Sequence, residues 1–419
     1  MEPLEILSKI NDLIGIIFTL CYAYQLFYLI VPLFRKKQPD IPSKNHHIAI
    51  LICARNEEAV LGHLLDTIRQ QDYPADRITT FVCADNCTDR TAEAAALKGA
   101  VVYERFNRQL VGKGYALSEL LQHIHRDYGD FFDGFLVLDA DNLLSENYVT
   151  ELNKTFSQGY DVVTSYRNSK NFGDNWISSG YALWFLREAS YLNRPRMFLG
   201  TACAVSGTGF LFSREVLQRR GGWNCFLLTE DIEFTVANVL AGEKMGYCGT
   251  AVLYDEQPVT FRQSWRQRMR WAKGYLQVFR NYGKSLLKGI FSKKGFACFD
   301  MAMAIMPAIV LTALGIVANA ALVTVSLCQG IDIWTSFQPF LQMIGGMYGL
   351  MLVLGGITTA TQWKQIHAPT WKKVLFTLTF PLFMMTYIPI SLAAMFRKVE
   401  WKPIEHKAAM SLSDVAKKR

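Results

Sequence analysis

Four long runs without a charged residue constrain this chain of 419 residues more than any other feature. They extend over residues 13–34, 301–331, 333–363 and 374–396. Each reaches the roughly 20 residues that a helix needs to cross the apolar layer of a bilayer. A helix buried in a soluble core is the weaker explanation, because such helices are usually shorter. The chain is therefore predicted to be held in a membrane by several helices.

The first run is predicted to remain as an anchor rather than to be removed as a secretion signal. It is long, lacks a basic start, and ends in Pro32 and the basic residues 35–37 without a small-residue cleavage site. Basic residues flank the cytosolic ends of spans, so the block from about 46 to 295 is predicted to be cytosolic. The expected location is a multi-pass protein of the plasma membrane, of the bacterial inner-membrane kind.

The last run conflicts with this orientation. Three further spans would place the C-terminal tail outside the cell, although the tail is basic. Its basic residues are Arg397, Lys398, Lys402, Lys407, Lys417, Lys418 and Arg419. Pro381 and Pro389 could break the run into a re-entrant pair. The side on which the tail lies stays open.

Composition excludes two other classes of protein. With 51% hydrophobic residues the chain is too apolar for an ordinary soluble enzyme of this length. The net charge of +8 is assigned to flanks that face anionic lipid, and no nucleic-acid partner is expected. The nine cysteines form no C-x-x-C pair, which argues against a zinc or redox site.

Within the soluble block, short apolar stretches end in polar clusters and alternate with helical patterns. The stretches cover residues 48–53, 78–83 and 135–138, and the clusters after them contain Ala54, Arg55, Glu57, Asp85, Asp139 and Asp141. Strands that alternate with helices predict a largely parallel sheet. Ligands of such sheets bind beyond the carboxyl ends of the strands, where all three clusters fall.

The acids in these clusters allow two interpretations each. Asp139 and Asp141, two residues apart, could place oxygen ligands around Mg²⁺ or Mn²⁺ beside phosphate oxygens. They could equally stabilise a turn. Asp85 could accept hydrogen bonds from a base or ribose, or act as an ordinary loop or capping aspartate.

Two further motifs are candidates for transfer chemistry. Lys113 lies between glycines that could let the backbone approach a ligand, so its ammonium could meet a diphosphate. The alternative is a mobile surface lysine. Thr229-Glu230-Asp231 opens a predicted helix and could be a threonine cap with acids favoured by the helix dipole. A carboxylate there could also deprotonate an attacking hydroxyl.

The sequence Gln267-Arg268-Met269-Arg270-Trp271 lies on a predicted amphipathic helix. Its apolar stripe, formed by Trp265, Met269, Ala272, Leu276 and Phe279, is typical of a helix at a bilayer surface. Gln267 and Trp271 are four residues apart and share another face. A tryptophan on that face needs a different partner, and a sugar ring is a plausible one.

In order, Asp85, Asp139-Ala140-Asp141, Thr229-Glu230-Asp231 and Gln267-Arg268-Met269-Arg270-Trp271 resemble the D, D-x-D, T-E-D and Q-x-x-R-W motifs of membrane-bound processive family 2 glycosyltransferases. These enzymes include cellulose, mixed-linkage glucan, hyaluronan and poly-N-acetylglucosamine synthases. The resemblance covers about residues 46–400. It implies an α/β GT-A domain with a mixed, mostly parallel sheet, combined with transmembrane helices and amphipathic interface helices. The implied boundaries are 1–45 for the anchor, 46–260 for the catalytic domain, 261–296 for the interface helices, 297–400 for the transmembrane region and 401–419 for the tail.

The same resemblance implies roles for individual residues. Donor-binding residues would be Ala54, Arg55, Glu57, Asp85, Asp139, Gln267 and Arg270, and Lys113 joins them on the ground of its charge between two glycines. The cofactor Mg²⁺ or Mn²⁺ would be held by Asp141 with Asp139. Asp231 would be the general base, with Glu230 and Thr229 beside it. Trp271, Gly207 and Thr208 would shape the acceptor site.

Three functions follow as hypotheses. The first is a processive inverting synthase that builds a β-linked polysaccharide from a UDP-sugar and moves it across the bilayer. Its partners would be the nascent polysaccharide and the bilayer, and an accessory membrane subunit is left open. The second is a non-processive transferase acting on a lipid or short glycan; such enzymes usually lack the Q-x-x-R-W helix, which favours the first. The third is a transporter, which the near absence of ionisable residues in the spans disfavours.

Overall fold

The computed structural model describes residues 3–34, 43–401 and 410–418. Several basic residues used in the orientation argument, namely 35–37, Lys402, Lys407 and Arg419, lie outside the described residues.

The described chain contains one mixed sheet of eight strands. The strands are β1 (Ile48–Ala54), β2 (Ile78–Asp85), β3 (Val101–Arg105), β4 (Gly134–Asp139), β5 (Leu143–Leu144), β6 (Val162–Ser169), β7 (Phe210–Ser213) and β8 (Met245–Asp255). Their order is β3-β2-β1-β4-β7-β6-β8-β5. Strand β1 is parallel to β2 and β4, β2 to β3, and β6 to β8. Strand β7 is antiparallel to both neighbours, and β5 to β8. The predicted mixed, mostly parallel sheet is confirmed.

Seventeen helices surround and extend this sheet in the described residues. They are α1 (Pro3–Tyr22), α2 (Tyr24–Ile30), α3 (Leu61–Arg69), α4 (Thr91–Leu97), α5 (Lys113–Tyr128), α6 (Tyr148–Phe156), α7 (Trp176–Glu188), α8 (Arg194–Phe198), α9 (Arg214–Arg220), α10 (Glu230–Ala241), α11 (Phe261–Gly289), α12 (Gly295–Ile305), α13 (Pro307–Cys328), α14 (Ile333–Thr361), α15 (Thr370–Met385), α16 (Tyr387–Phe396) and α17 (Leu412–Lys417). Short 3₁₀ turns cover Val31–Phe34 and Ala75–Arg77, and a π-helical turn covers Ala189–Asn193.

Strand β1 shows why the sheet is buried on both faces. Alternate side chains of a strand point to opposite faces. Ile50 and Ile52 enter one apolar cluster with helices α3 and α6, whereas Ala49 and Leu51 enter the other with α5. Because both faces are covered, the strand reads as a continuous apolar run rather than an alternating one.

Four helical segments are long and apolar enough to cross a membrane by length and composition: Leu4–Ile30, Ala308–Cys328, Ile333–Thr361 and Thr370–Phe396. The first helical segment begins at Leu4, before the predicted start at residue 13, because the polar residues that precede residue 13 are also helical. Lys9 pairs with Glu5 at 2.7 Å, and Asn319 on α13 donates to Asn11 at 2.8 Å.

The last apolar segment is divided at one residue and does not turn back. Thr386 joins α15 to α16 with φ −64° and ψ −15°, which is right-handed helical backbone. Its N–H donates to the Leu382 carbonyl at 3.1 Å, and Pro381 lies within α15. The two prolines therefore do not produce a re-entrant pair.

A buried ion pair ties the first segment to the catalytic domain. The Arg196 guanidinium donates to Asp300 at 2.7 and 2.9 Å. The hydroxyls of Tyr24 and Tyr28 donate to the same carboxylate at 2.7 and 2.9 Å. Both charges are thus paired within the protein, and this fixes the position of α2 beside α8 and α12.

Candidate active site

The polar ends of three parallel strands meet at one edge of the sheet. In the registers of the sheet, Cys53 is opposite both Cys83 and Asp139, so the ends of β1, β2 and β4 lie in one row. Asn56 and Asn86 follow the first two strands with φ of 59° and 53°. Asparagine tolerates this left-handed backbone, which turns each chain away from its strand. A cavity of about 430 Å³ opens at this edge.

Ala54, Arg55, Glu57 and Asp85 line one end of the cavity. Asp85 accepts hydrogen bonds from Arg105 at 2.7 Å and from the Asn86 amide at 2.8 Å. Burial raises the pKa of Asp85, although the Arg105 guanidinium opposes the rise. One oxygen of this carboxylate is thus used to hold the strand ends together, so a nucleoside would meet a pre-oriented acid.

Lys113 crosses the cavity from the start of α5. Its ammonium contacts the Asp139 carboxylate and donates to the Gly207 carbonyl at 2.6 Å. It is therefore not a mobile surface lysine. The sequence predicts that the glycines beside Lys113 let the backbone approach a ligand, but Gly114 is close to protein instead. A Cβ at Gly114 would lie 2.1 Å from the Cys225 carbonyl oxygen. That glycine allows the loop before Thr229 to pack against α5.

Asp139 ends β4, Asp141 follows two residues later, and both line the cavity with Asp255. Burial raises the pKa of Asp255 to about 6, and the charges of Asp141 and Asp139 add to this effect. Asp141 accepts a hydrogen bond from the Glu256 N–H at 2.8 Å. Arg167 pairs with Asp255 from the other side. The site therefore concentrates negative charge where the D-x-D motif predicts a cation.

The described residues contain no group of three His, Cys, Asp or Glu side chains arranged to hold a metal ion. Mg²⁺ often takes only one or two protein carboxylates and completes its shell with water and substrate phosphates. Asp139 and Asp141 fit that kind of site, because they are acids at the cavity wall beside a third acid.

The assignment of Thr208 to the acceptor site is wrong. Its side chain is buried and is not among the residues that line the cavity. The Asp139 N–H donates to the Thr208 hydroxyl at 2.9 Å and to the Asn142 side-chain oxygen at 3.1 Å. Thr208 therefore positions the D-x-D turn from behind, whereas its neighbour Gly207 remains at the wall.

Glu230 and Asp231 open α10 at the centre of the cavity wall. Burial and the neighbouring Asp231 charge raise the pKa of Glu230 to about 7. Burial also raises the pKa of Asp231, while the Ile232 N–H, Arg270 and Lys113 counteract it. Both carboxyls therefore bind a proton more readily than an exposed acid does, which suits a group that must accept one.

Thr229 does not act as the helix cap that the sequence allows. Its side chain makes no capping hydrogen bond, and within the described residues its buried hydroxyl has no partner. A Cβ at Gly274 would lie 2.4 Å from that hydroxyl. Thr229 therefore serves as the contact between α10 and α11, next to the acids.

Helix α11 brings Gln267, Arg270 and Trp271 to the cavity. Arg270 donates to the Leu228 carbonyl at 2.7 Å, and Trp271 meets the ring of Tyr181 edge-on at 5.6 Å. The Gln267 side-chain oxygen is buried without a hydrogen-bond partner in the described part of the chain. A buried oxygen without a partner is costly, so a ligand donor is expected to reach it.

The predicted lipid-facing stripe of α11 is corrected in two places. Ala272 lines the cavity, and Phe279 packs against the main apolar cluster. The physical reason is that α10, α12 and α16 all contact α11 and cover part of its surface. Arg268 is also buried and donates to the Phe383 carbonyl at 3.0 Å.

Beyond Trp271 and Tyr275 the cavity continues as an arm between α12, α13 and α16. Its walls are mostly aliphatic: Ala304, Ile305, Met306, Ile309, Ala313, Met384, Ile388 and Leu392 line it. One cavity thus joins a charged end at the sheet to an apolar end among helices of membrane length.

Several residues at the site had no sequence signal. Glu188 accepts a hydrogen bond from Ser206, and Arg167 stacks 3.7 Å from the centre of the Phe185 ring. The Arg55 guanidinium lies 5.6 Å from the centre of the Trp401 ring, and both residues line the cavity. Only Trp401, a lone aromatic residue in a basic tail, stands out in the sequence.

Comparisons with known proteins agree with this geometry. The sequence model of the family described as "Glycosyltransferase like family 2" matches residues 45–274. A β-monoglucosyldiacylglycerol synthase of Synechocystis is 28% identical over 244 residues, which are 56% of this chain and 49% of the relative. A poly-β-1,6-N-acetyl-D-glucosamine synthase of Staphylococcus epidermidis is 23% identical over 245 residues, 55% of each chain. The chain spans about half the length of the curated relatives that it matches.

Among solved structures, a mannosyltransferase from Pyrobaculum calidifontis in complex with GDP-Man and Mn²⁺ has a similar fold. The TM-score is 0.59 at 16% identity, and the match covers 93% of this chain and 99% of the other. The GT-A architecture expected from the sequence is thereby confirmed, together with helices that are consistent with a membrane-associated protein.

Proposed function

Because the chain belongs to glycosyltransferase family 2, we propose that it transfers a sugar from a nucleoside diphosphate sugar to the hydroxyl of an amphiphilic lipid. The observation that carries this proposal is the two-ended cavity, charged at the sheet and apolar among the long helices. An acceptor with a polar head and acyl or prenyl chains would fill both ends, whereas a water-soluble acceptor would leave the arm empty.

The charged end suits a UDP-sugar. Arg55 and Asp85 would face the nucleoside, and Lys113 and Arg270 would meet the diphosphate. Mg²⁺ or Mn²⁺ held by Asp139 and Asp141 would neutralise charge on the diphosphate. Lys113 would have to exchange part of its contact with Asp139 for a contact with a phosphate oxygen.

Asp231 would accept the proton of the acceptor hydroxyl while that oxygen forms a bond with the anomeric carbon. The bond from this carbon to the diphosphate breaks, and the nucleoside diphosphate leaves with its negative charge beside Lys113 and Arg270. Attack from the side opposite the leaving group inverts the configuration, so an α-linked donor would give a β-linked product. Trp271 would present an aromatic surface to the acceptor.

The relatives support a lipid acceptor without fixing it. The Synechocystis relative is a glucosyldiacylglycerol synthase by its name. Anchoring in the plasma membrane, with the catalytic domain in the cytosol, would bring the mouth of the apolar arm to the level of the lipid.

A second candidate is the processive synthase of a β-glucan or poly-N-acetylglucosamine type of polymer. It is favoured by Gln267, Arg270 and Trp271 at the cavity wall, since the Q-x-x-R-W motif is characteristic of processive synthases. The Staphylococcus relative makes such a polymer by its name. Under this candidate the acceptor would be the nascent polysaccharide, and an accessory membrane subunit could complete the path for the product.

One experiment distinguishes the two. Purified protein in lipid nanodiscs would receive radiolabelled UDP-glucose, UDP-N-acetylglucosamine or GDP-mannose with Mg²⁺ or Mn²⁺, and the products would be extracted with chloroform and methanol. Label in the organic phase, in a species carrying one sugar, supports lipid transfer. Label in a polymer retained at the chromatographic origin supports the synthase and contradicts our first proposal. An Asp231→Asn variant provides the inactive control.

A further inference from the structure

The segment formed by α15 and α16 is long enough to cross a bilayer, yet one end is attached to the catalytic domain and the other to α11, which lines the active site. Near its start, the Lys372 ammonium donates to the Gly173 carbonyl at 2.7 Å. Near its end, Lys273 of α11 donates to the Ala394 carbonyl at 3.0 Å. A helix that crosses the membrane has one end on each side, so these two contacts are incompatible with a crossing.

The middle of the segment also stays on the catalytic domain. Arg268 of α11 donates to the Phe383 carbonyl at 3.0 Å and to the Thr386 hydroxyl at 2.7 Å. Gly180 of α7 lies so close to the Phe383 ring that a Cβ there would approach it to 2.2 Å. The segment therefore packs against α7 and α11, while α15 also contacts α14.

One face of α15 exposes a stripe of side chains that are all apolar or aromatic. Trp371, Val374, Leu375, Leu378 and Leu382 recur at steps of three and four, and each is between 43% and 61% exposed. On the opposite face Phe376, Phe380 and Phe383 are buried against the protein. Exposure of an apolar stripe of this size to water would be unfavourable. Helices α13 and α14, which are long enough to cross a membrane, adjoin α15 and α16 and would bring lipid close to the stripe.

We propose that α15 and α16 lie along the bilayer surface on the side of the catalytic domain, with the exposed stripe of α15 in contact with lipid. Only the segment α1–α2 and the helices α13 and α14 would then cross, which makes three crossings instead of four. The C-terminal tail returns to the side of the active site.

The described part of the tail supports this placement independently. Val415 of α17 is 1% exposed, and the Lys418 ammonium lies 3.8 Å from the Asp174 carboxylate of the catalytic domain. Trp401 contacts Arg55 at the cavity. A tail outside the cell could make neither contact. Three crossings also put the basic tail in the cytosol, which removes the conflict with the distribution of basic residues.

Cysteine labelling of the full chain in membranes tests the topology. Cys328 is exposed at the end of α13 that leads away from the catalytic domain, and it is the native reporter for the far side. In a Cys328→Ser background, Ser413→Cys reports on the tail and Glu104→Cys on the catalytic domain, since both positions are exposed. The Cys328→Ser chain without a new cysteine measures labelling of the remaining cysteines.

With a membrane-impermeant maleimide, right-side-out vesicles should label Cys328 alone, and inverted vesicles should label positions 413 and 104 alone. Labelling of position 413 in the same vesicle orientation that labels Cys328 would overturn the proposal. Labelling of Cys328 in the same orientation that labels position 104 would also overturn it. For the stripe, a spin label at Leu378→Cys should show the oxygen accessibility of a shallow lipid site. Disulfide cross-linking of Leu378→Cys between chains would instead assign the stripe to a second copy and contradict the lipid contact. None of these outcomes depends on which sugar or acceptor the enzyme uses.

Discussion

Asp231 faces Gly207 across the cavity, with one carboxylate oxygen 3.8 Å from the position that a Cβ at Gly207 would occupy. The space beside this oxygen is where an acceptor hydroxyl must lie to lose its proton. We predict that Gly207→Ala lowers kcat by at least tenfold, because its methyl group fills this space. Both Gly207 and Gly200 have positive φ, 80° and 68°, but a Cβ at Gly200 meets nothing within 4 Å. Gly200→Ala therefore controls for backbone strain, and equal loss of activity in both variants would contradict the prediction.

Replacing the carboxylate itself should separate chemistry from binding. Asp231→Asn keeps the shape of the side chain and cannot accept a proton, so the turnover rate should fall by about 10²-fold or more. Donor binding, measured by isothermal titration with the unreactive nucleoside diphosphate, should change by less than about threefold, since the donor-binding residues lie outside α10. If binding is lost along with turnover, Asp231 holds the donor and our assignment of the base is wrong.

The raised pKa of Glu230 predicts how stability depends on pH. This carboxyl ionises near 4.5 in its ordinary state and near 7 in the folded protein. The folded state therefore binds the proton more tightly, and the free energy of unfolding falls as the pH rises through this window. The loss attributable to this group is on the order of 3 kcal/mol.

Glu230→Gln removes this titration, so its melting temperature should decline less than that of the wild type between pH 5 and pH 8. Differential scanning fluorimetry in detergent would measure both slopes. Glu58→Gln is the matched control, because Glu58 is more exposed and pairs with Arg90 at the surface. Parallel slopes for the wild type and Glu230→Gln would show that the acid is not held protonated in the folded protein.

The apolar arm offers a test of acceptor binding that leaves the donor end untouched. Ala313 lines the arm on α13, whereas Val317, one turn further along, is 66% exposed and is not among the residues that line the cavity. Ala313→Phe should raise the KM for a lipid acceptor by about tenfold and leave donor binding unchanged, whereas Val317→Phe should match the wild type. The measurement is the initial rate of transfer at varied acceptor mole fraction in nanodiscs. An unchanged KM in Ala313→Phe would place the acceptor elsewhere.

The ends of β1, β2 and β4 could be predicted because the information is local. An apolar run followed by a polar cluster is visible in a dozen residues, and the parallel arrangement then brings the clusters together. Lys113 and the Thr229-Glu230-Asp231 motif were placed for the same reason. Thr208 was misassigned because its partner, the Asp139 N–H, is 69 residues away in the chain.

The remainder of the site depends on contacts between distant segments. Arg167 meets Asp255, and Arg55 meets Trp401, without a spacing in the sequence that relates them. The same holds for the last apolar segment, which hydropathy counts as a span. Its contacts with Gly173 and Lys273 determine its course, and hydropathy carries no information about either.

The last prediction concerns Asp300, which accepts hydrogen bonds from Arg196, Tyr24 and Tyr28 in a fully buried position. Asp300→Asn leaves the Arg196 guanidinium buried without a counter-charge, a change that typically costs about 3–5 kcal/mol. The melting temperature should fall sharply, and limited proteolysis should cleave first near the segment between α2 and β1, because α2 loses its attachment. Combining Asp300→Leu with Arg196→Met removes both charges and should recover much of the stability. Glu5→Gln, which breaks only the exposed pair with Lys9 on the same first segment, should have little effect. If the single and double Asp300 variants melt alike, the ion pair does not hold the anchor to the catalytic domain.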